Sequence, residues 1–131
     1  MPRTPVLVLS SLIVAFAGPD AGAEWYGPDY RQCAGQPTAQ LVACVNDHVA
    51  HWDRELNRTY QELINRLPPR QQERLRAAQR LWIQYRDANC GFYAAGEGSI
   101  ASVEAAECLR AMTQIRYNEL YMNTHSERPS N

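Results

Sequence analysis

The chain has 131 residues, 13 basic and 14 acidic side chains and no lysine, for a formal net charge of −1. Without a basic excess it carries no electrostatic footprint for nucleic acid, and without an acidic excess it has no general pull on basic partners. Its length suits one domain with a modest core, the size at which covalent cross-links help most.

Residues 1–23 read as a secretory signal peptide. Arg3 supplies a positive start, Val6 to Ala17 an apolar run broken only by Ser10 and Ser11, and Ala21-Gly22-Ala23 a small-residue cleavage site. The run is shorter than the roughly 20 apolar residues that a membrane span needs. No cysteine follows it directly, so a lipid anchor is not expected. The expected product begins at Glu24, is soluble and periplasmic or secreted, and has a helical domain over 24–124 followed by a polar tail over 125–131.

From Thr38, an expected N-cap, apolar residues recur three or four apart: Leu41, Val45, Val49, Trp52, Leu56, Tyr60, Leu63 and Leu67. That spacing predicts one long amphipathic helix. Pro68-Pro69 ends it, because proline lacks an N–H and the residue before proline avoids helical geometry. A second helix is predicted from Pro69 to Cys90, with Leu75, Ala78, Trp82, Tyr85 and Asn89 facing inward. Gly91, Gly96 and Gly98 then open a loop. A third helix follows from about Ser102 to Asn123, its stripe formed by Cys108 or Leu109, Met112, Ile115 or Arg116, and Leu120. No segment alternates at strand period. The expected fold is all-α: a small antiparallel three-helix bundle, built as a long helical hairpin plus a third helix. Counted outward from the prolines, Leu63 meets Leu75, Leu56 meets Trp82 and Trp52 meets Tyr85.

Cys33, Cys44, Cys90 and Cys108 make an even count in a chain expected to be exported, which reads as two disulfides stapling the bundle. No Cys-x-x-Cys pair supports zinc. On the helical layout all four thiols gather at the end away from the prolines, so geometry leaves three pairings open. Local reach favours Cys33–Cys44 with Cys90–Cys108; the runner-up joins Cys44 to Cys90.

The ordered residues Cys33, Cys44, Leu56-Asn57, Tyr60, Gln79-Arg80-Leu81-Trp82-Ile83, Tyr85-Arg86-Asp87, Cys90, Cys108, Thr113, Arg116 and Leu120 resemble the LprI-like lysozyme inhibitor family. The likeness spans nearly all of the expected mature chain and is most specific from Gln79 to Cys90. It implies a protein that blocks a lysozyme's cleft and so protects peptidoglycan, with no cofactor and no catalysis. A non-enzymatic envelope adaptor with another partner is the alternative.

Among the motif residues, Leu56, Asn57, Tyr60, Gln79, Trp82, Tyr85, Arg86, Asp87 and Arg116 read as structural. Arg116, set among apolar positions, needs a carboxylate from Asp87, Glu55 or Asp53. His48, His51 and Glu55 share a helix face but lack a fourth ligand, so no metal is expected. The segment from Gly91 to Val103, with Phe92, Tyr93, Glu97 and Ile100, is the expected recognition element, since apolar side chains on a braced loop suit insertion into a cleft. No nucleophile elbow, phosphate loop or zinc-protease motif is present.

Overall fold

Prolines and glycines set the helix boundaries. The computed structural model describes residues 26–125, which form α1 (Pro28–Cys33), α2 (Thr38–Arg66), α3 (Pro69–Ala94) and α4 (Ile100–His125), with no strand among them. Residues 1–25, which include the segment expected to be a signal peptide, and the residues after His125 lie outside the described residues. The described residues are all-α, but they form four helices rather than three. Pro28 at the first turn and Asp29 beside it start the short α1, which periodicity over six residues could not reveal.

Pro37, not Thr38, is the cap residue of α2, and its carbonyl accepts from the Leu41 N–H at 2.9 Å. At the other end Leu67 turns extended (ψ 145°), as a residue before proline must. Pro69 then occupies the first turn of α3. The Pro68 carbonyl accepts from the N–H groups of Gln71 and Gln72, and the Gln72 amide donates to the Leu67 carbonyl at 2.9 Å. This turn is therefore stiff and well satisfied.

α3 does not stop at Cys90. It passes through Gly91 to Ala94, because one glycine in a helix interior costs only about 1 kcal/mol and does not by itself end a helix. It ends at Ala94, and the turn into α4 passes through Gly98, whose φ of +74° lies in the left-handed region that favours glycine. α4 starts two residues before the expected Ser102, and the Ser102 hydroxyl donates to the Ser99 carbonyl at 2.8 Å instead of capping the helix.

The largest departure concerns order in space. α4 packs extensively against both α2 and α3, while α2 and α3 touch each other little. The chain folds as a hairpin with α4 laid between its arms. Leu120 of α4 joins Leu56 and Leu63, with Tyr60, Leu67, Leu75, Trp82 and Tyr117 around them. The rung between Trp52 and Tyr85 does not form. Tyr85 is exposed, as is Ala78, whereas Trp52 packs on Tyr117 with ring centroids 5.2 Å apart. Small residues explain the central place of α4: Ala101, Ala106 and Ala111 are buried and let its neighbours approach closely.

Cys33 bonds Cys44 and Cys90 bonds Cys108, with Cα separations of 5.7 and 5.5 Å. The first ties α1 to α2, where Cys33, Val45 and Ala106 form a small core cluster of their own. The second ties the end of α3 to the start of α4. Both staples sit at the end away from Pro68-Pro69.

Candidate partner-binding site

Between the Cys90–Cys108 bond and the first turn of α4, the chain reverses over Ala95–Ser99. The reversal is tight: the N–H groups of Ala95, Gly96 and Ala101 donate to the carbonyls of Gly91, Tyr93 and Gly98. A Cβ placed on Gly96 would lie 3.1 Å from the Tyr93 carbonyl oxygen, so this glycine is there for close approach. What sequence periodicity shows as a loop over 91–103 is thus two helix ends joined by a short, braced corner.

The corner holds Phe92, Tyr93, Glu97 and Ile100 near one another in sequence but not equally outward. Phe92 is 74% exposed and Ile100 56% exposed, and Glu97 is also exposed. Tyr93 is half-buried and meets the Phe92 ring edge-on at 5.3 Å. Beside them lies a shallow depression of about 420 Å³ lined by Val42, Asn46, Gly96, Ala101, Ser102 and Leu109. The segment 91–103 contains no histidine or cysteine, and all four cysteines are disulfide-bonded. What this corner offers is apolar contact area on a rigid support.

A second groove of about 540 Å³ opens at the opposite end, with Leu63, Leu67, Leu75 and Leu120 as floor and Arg116 and Thr124 on its rim. Sequence spacing did not point to it, because it arises only where α4 ends against the proline turn.

The motif residues divide between core and surface. Leu56 and Gln79 are buried, Tyr60 and Trp82 half-buried, and Asn57, Tyr85 and Asp87 exposed. Asn57 donates to Asp53 on its own helix at 3.4 Å. Arg86 lies 5.1 Å from the Trp82 ring centroid, donates to Asp87 and pairs with Asp53 of α2 at 3.7 Å. It therefore braces α3 against α2 rather than against α4. Arg116 also finds partners other than those expected. Its Nε donates to Gln79 Oε1 at 3.0 Å and its NH1 meets Glu119 at 2.7 Å. Asp87 and Asp53 are taken by Arg86, and Glu55 by Arg58, whose hydrogen bond holds that carboxyl below the usual carboxylate range. Since Arg116→Met strands the buried Gln79 amide oxygen, it should lower stability by about 1–3 kcal/mol. A denaturant titration measures this, and an unchanged midpoint would remove the structural role.

His48, His51 and Glu55 are not brought together. His48 turns toward Asp29 at 3.8 Å, and His51 stacks edge-on against Trp52. Among the described residues, the side chains that do converge as metal ligands would are Cys33, Cys44 and His48, but both sulfurs are spent in a disulfide.

The most buried charged side chains among the described residues have no forerunner in the motif. Arg110 and Glu107 are both 0% exposed. Arg110 grips Glu107 in a two-point pair, Nε to Oε2 at 2.8 Å and NH2 to Oε1 at 2.7 Å, while NH1 donates to Gln114. Asp29 of α1 approaches NH1 at 3.6 Å and accepts from the Trp52 indole at 2.6 Å. One network thus joins α1, α2 and α4. The signal was available: Val103, Ala106, Arg110, Thr113, Tyr117 and Leu120 alternate three and four apart, but the arginine hides the stripe when only apolar residues are followed.

The family model for lysozyme inhibitor LprI matches residues 31–120. The chain belongs to the LprI family. The match takes in both disulfides, the Gln79–Cys90 motif and the corner at 92–100, and leaves Asp29 just outside. A Rhizobium meliloti (strain 1021) protein, described as uncharacterized protein R02472, is 32% identical over 126 residues, covering 84% of this chain and 88% of that one. No solved structure matches. An LprI family member is expected to act by binding rather than by catalysis, and no helix among the described residues is long and apolar enough to cross a membrane.

Proposed function

We propose that this LprI-family chain is an exported inhibitor that binds a lysozyme and blocks its cleft sterically, protecting peptidoglycan in the periplasm or outside the cell. The observation that carries the reading is the corner. Phe92 and Ile100 stand out from a reversal that the Cys90–Cys108 bond and its own backbone hydrogen bonds hold in shape. A pre-shaped projection loses little conformational freedom on binding, which is what makes such projections effective cleft blockers. Glu97 and Glu104 are the charges on the segment, with no arginine among residues 91–105, so a basic cleft rim would meet no repulsion there. Two disulfides suit an oxidising compartment and support export.

The test is loss of turbidity of bacterial cell walls under lysozymes of several types, with and without the purified, disulfide-intact chain. Slowing at micromolar inhibitor is expected. Phe92→Ala combined with Ile100→Ala should weaken it by about 30-fold or more, the effect of removing a central apolar anchor of about 2 kcal/mol. No slowing with any lysozyme would favour a non-enzymatic envelope adaptor with another partner.

A further inference from the structure

α3 buries one side of itself and leaves an apolar stripe along the other. Its inward residues are Gln79 and Cys90, with Leu75, Trp82, Arg86 and Asn89 half-buried beside them. On the outer side Ala78, Leu81, Tyr85, Ala88 and Phe92 follow one another at spacings of three and four. Leu81 is 66% and Tyr85 61% exposed. Such spacing is the seam of a helix pair, in which alternate side chains interlock with those of a facing helix. An ordinary solvent-facing helix side places charged or polar residues at these positions.

We propose that two copies of this chain associate through the outer faces of their α3 helices, running antiparallel. Charge selects both the occupant and the direction. The first half of α3 carries Arg70, Arg74, Arg76 and Arg80, all exposed, against one acidic residue, Glu73. The second half and the corner carry Asp87, Glu97 and Glu104 against one arginine, Arg86, which is half-buried and turned onto Trp82, Asp87 and Asp53. Parallel pairing would lay arginine on arginine. Antiparallel pairing instead lays each basic half toward its partner's corner end, where Glu97 and Glu104 give an acidic surplus, and the macrodipoles then oppose favourably. In that register Ala78 faces the partner's Ala88, so the backbones come close, Leu81 faces Tyr85, and the stem of Arg74 covers Phe92. The pairing is isologous and closes at two copies. With few large side chains per copy the seam falls short of the area of a tight interface, so a dissociation constant on the order of 10 μM is expected. Phe92 lies on both the seam and the corner, so self-association and target capture compete for it.

Sedimentation velocity of the disulfide-intact chain from about 5 to 200 μM tests this without any lysozyme. The expected result is a shift from monomer to dimer across that range, abolished by Leu81→Glu, with helix content and melting temperature kept because the side chain is exposed. A parent chain that stays monomeric at 200 μM overturns the proposal, and so does a Leu81→Glu variant that still dimerises. Direction is read with a short bis-maleimide cross-linker on Ala78→Cys and Ala88→Cys chains. Mixed copies should link better than either alone; the reverse overturns the antiparallel arrangement.

Discussion

Reduction of both disulfides should unfold this chain at room temperature. Cys90–Cys108 closes a separation of 18 residues and Cys33–Cys44 one of 11. Restricting the unfolded chain over loops of these sizes is worth about 3 kcal/mol each. The two together, about 6 kcal/mol, exceed the lower end of the whole stability of a small domain, about 5 kcal/mol. The reduced chain should therefore lose most of its helical circular dichroism and its tryptophan burial, and regain both on reoxidation. Replacing Cys90 and Cys108 by Ser should remove about 3 kcal/mol alone and also loosen the corner, so any lysozyme inhibition should fall before the fold does. A reduced chain that still melts cooperatively near the oxidised temperature would show that the helical core suffices.

The second large effect is expected at Arg110. Arg110→Met leaves the Glu107 carboxyl with no exposure and without its two-point partner, which should destabilise by about 3–5 kcal/mol. Burial already pushes the Glu107 carboxyl up, against the pull of Arg110. Removing the guanidinium takes away the largest pull against that push. The folded state then holds its proton more firmly than the unfolded one, and stability falls as pH rises through the interval between the ordinary and the raised value. The variant should consequently be nearest to the parent in acid and furthest from it at neutral pH, in denaturant titrations across that range. Adding Glu107→Leu to Arg110→Met should restore most of the loss, since two apolar side chains of similar size replace a buried ion pair at little cost. A single variant as stable as the parent at pH 7 would mean that Glu107 is not a buried charge.

These two sites mark how far the sequence could be read. The long helix ending at Pro68-Pro69 is legible because its apolar residues keep one period over many turns and because proline stops a helix for a local steric reason. The cysteines are legible as disulfides because their number and the absence of close pairs leave little else for them. The corner is legible in its residues but not in its shape. Gly91, Gly96 and Gly98 look alike in sequence, yet of the three only Gly98 adopts the left-handed conformation, in the turn that leads into α4, while Gly91 continues α3.

Other features depend on which surfaces meet. Sequence spacing gives each helix an apolar side but not the neighbour that covers it, so the matched rungs Leu63–Leu75, Leu56–Trp82 and Trp52–Tyr85 read as a self-sufficient hairpin. The buried alanines of α4 let that helix occupy the space between the two arms, and Tyr85 is left in solvent. Of the partners of Arg116, Gln79 is near only because α4 lies against α3, whereas Glu119 stands one turn along the same helix. A buried arginine looks like a surface arginine until its partners are placed around it. The sequence by itself determined the helical class, the family and the number of staples, because these rest on local geometry and on ordered residue types. Tertiary structure alone decided that α4 is central, that Arg110 and Glu107 are buried together, and that the outer face of α3 is left uncovered, because burial is a property of neighbours and not of the residue that is buried.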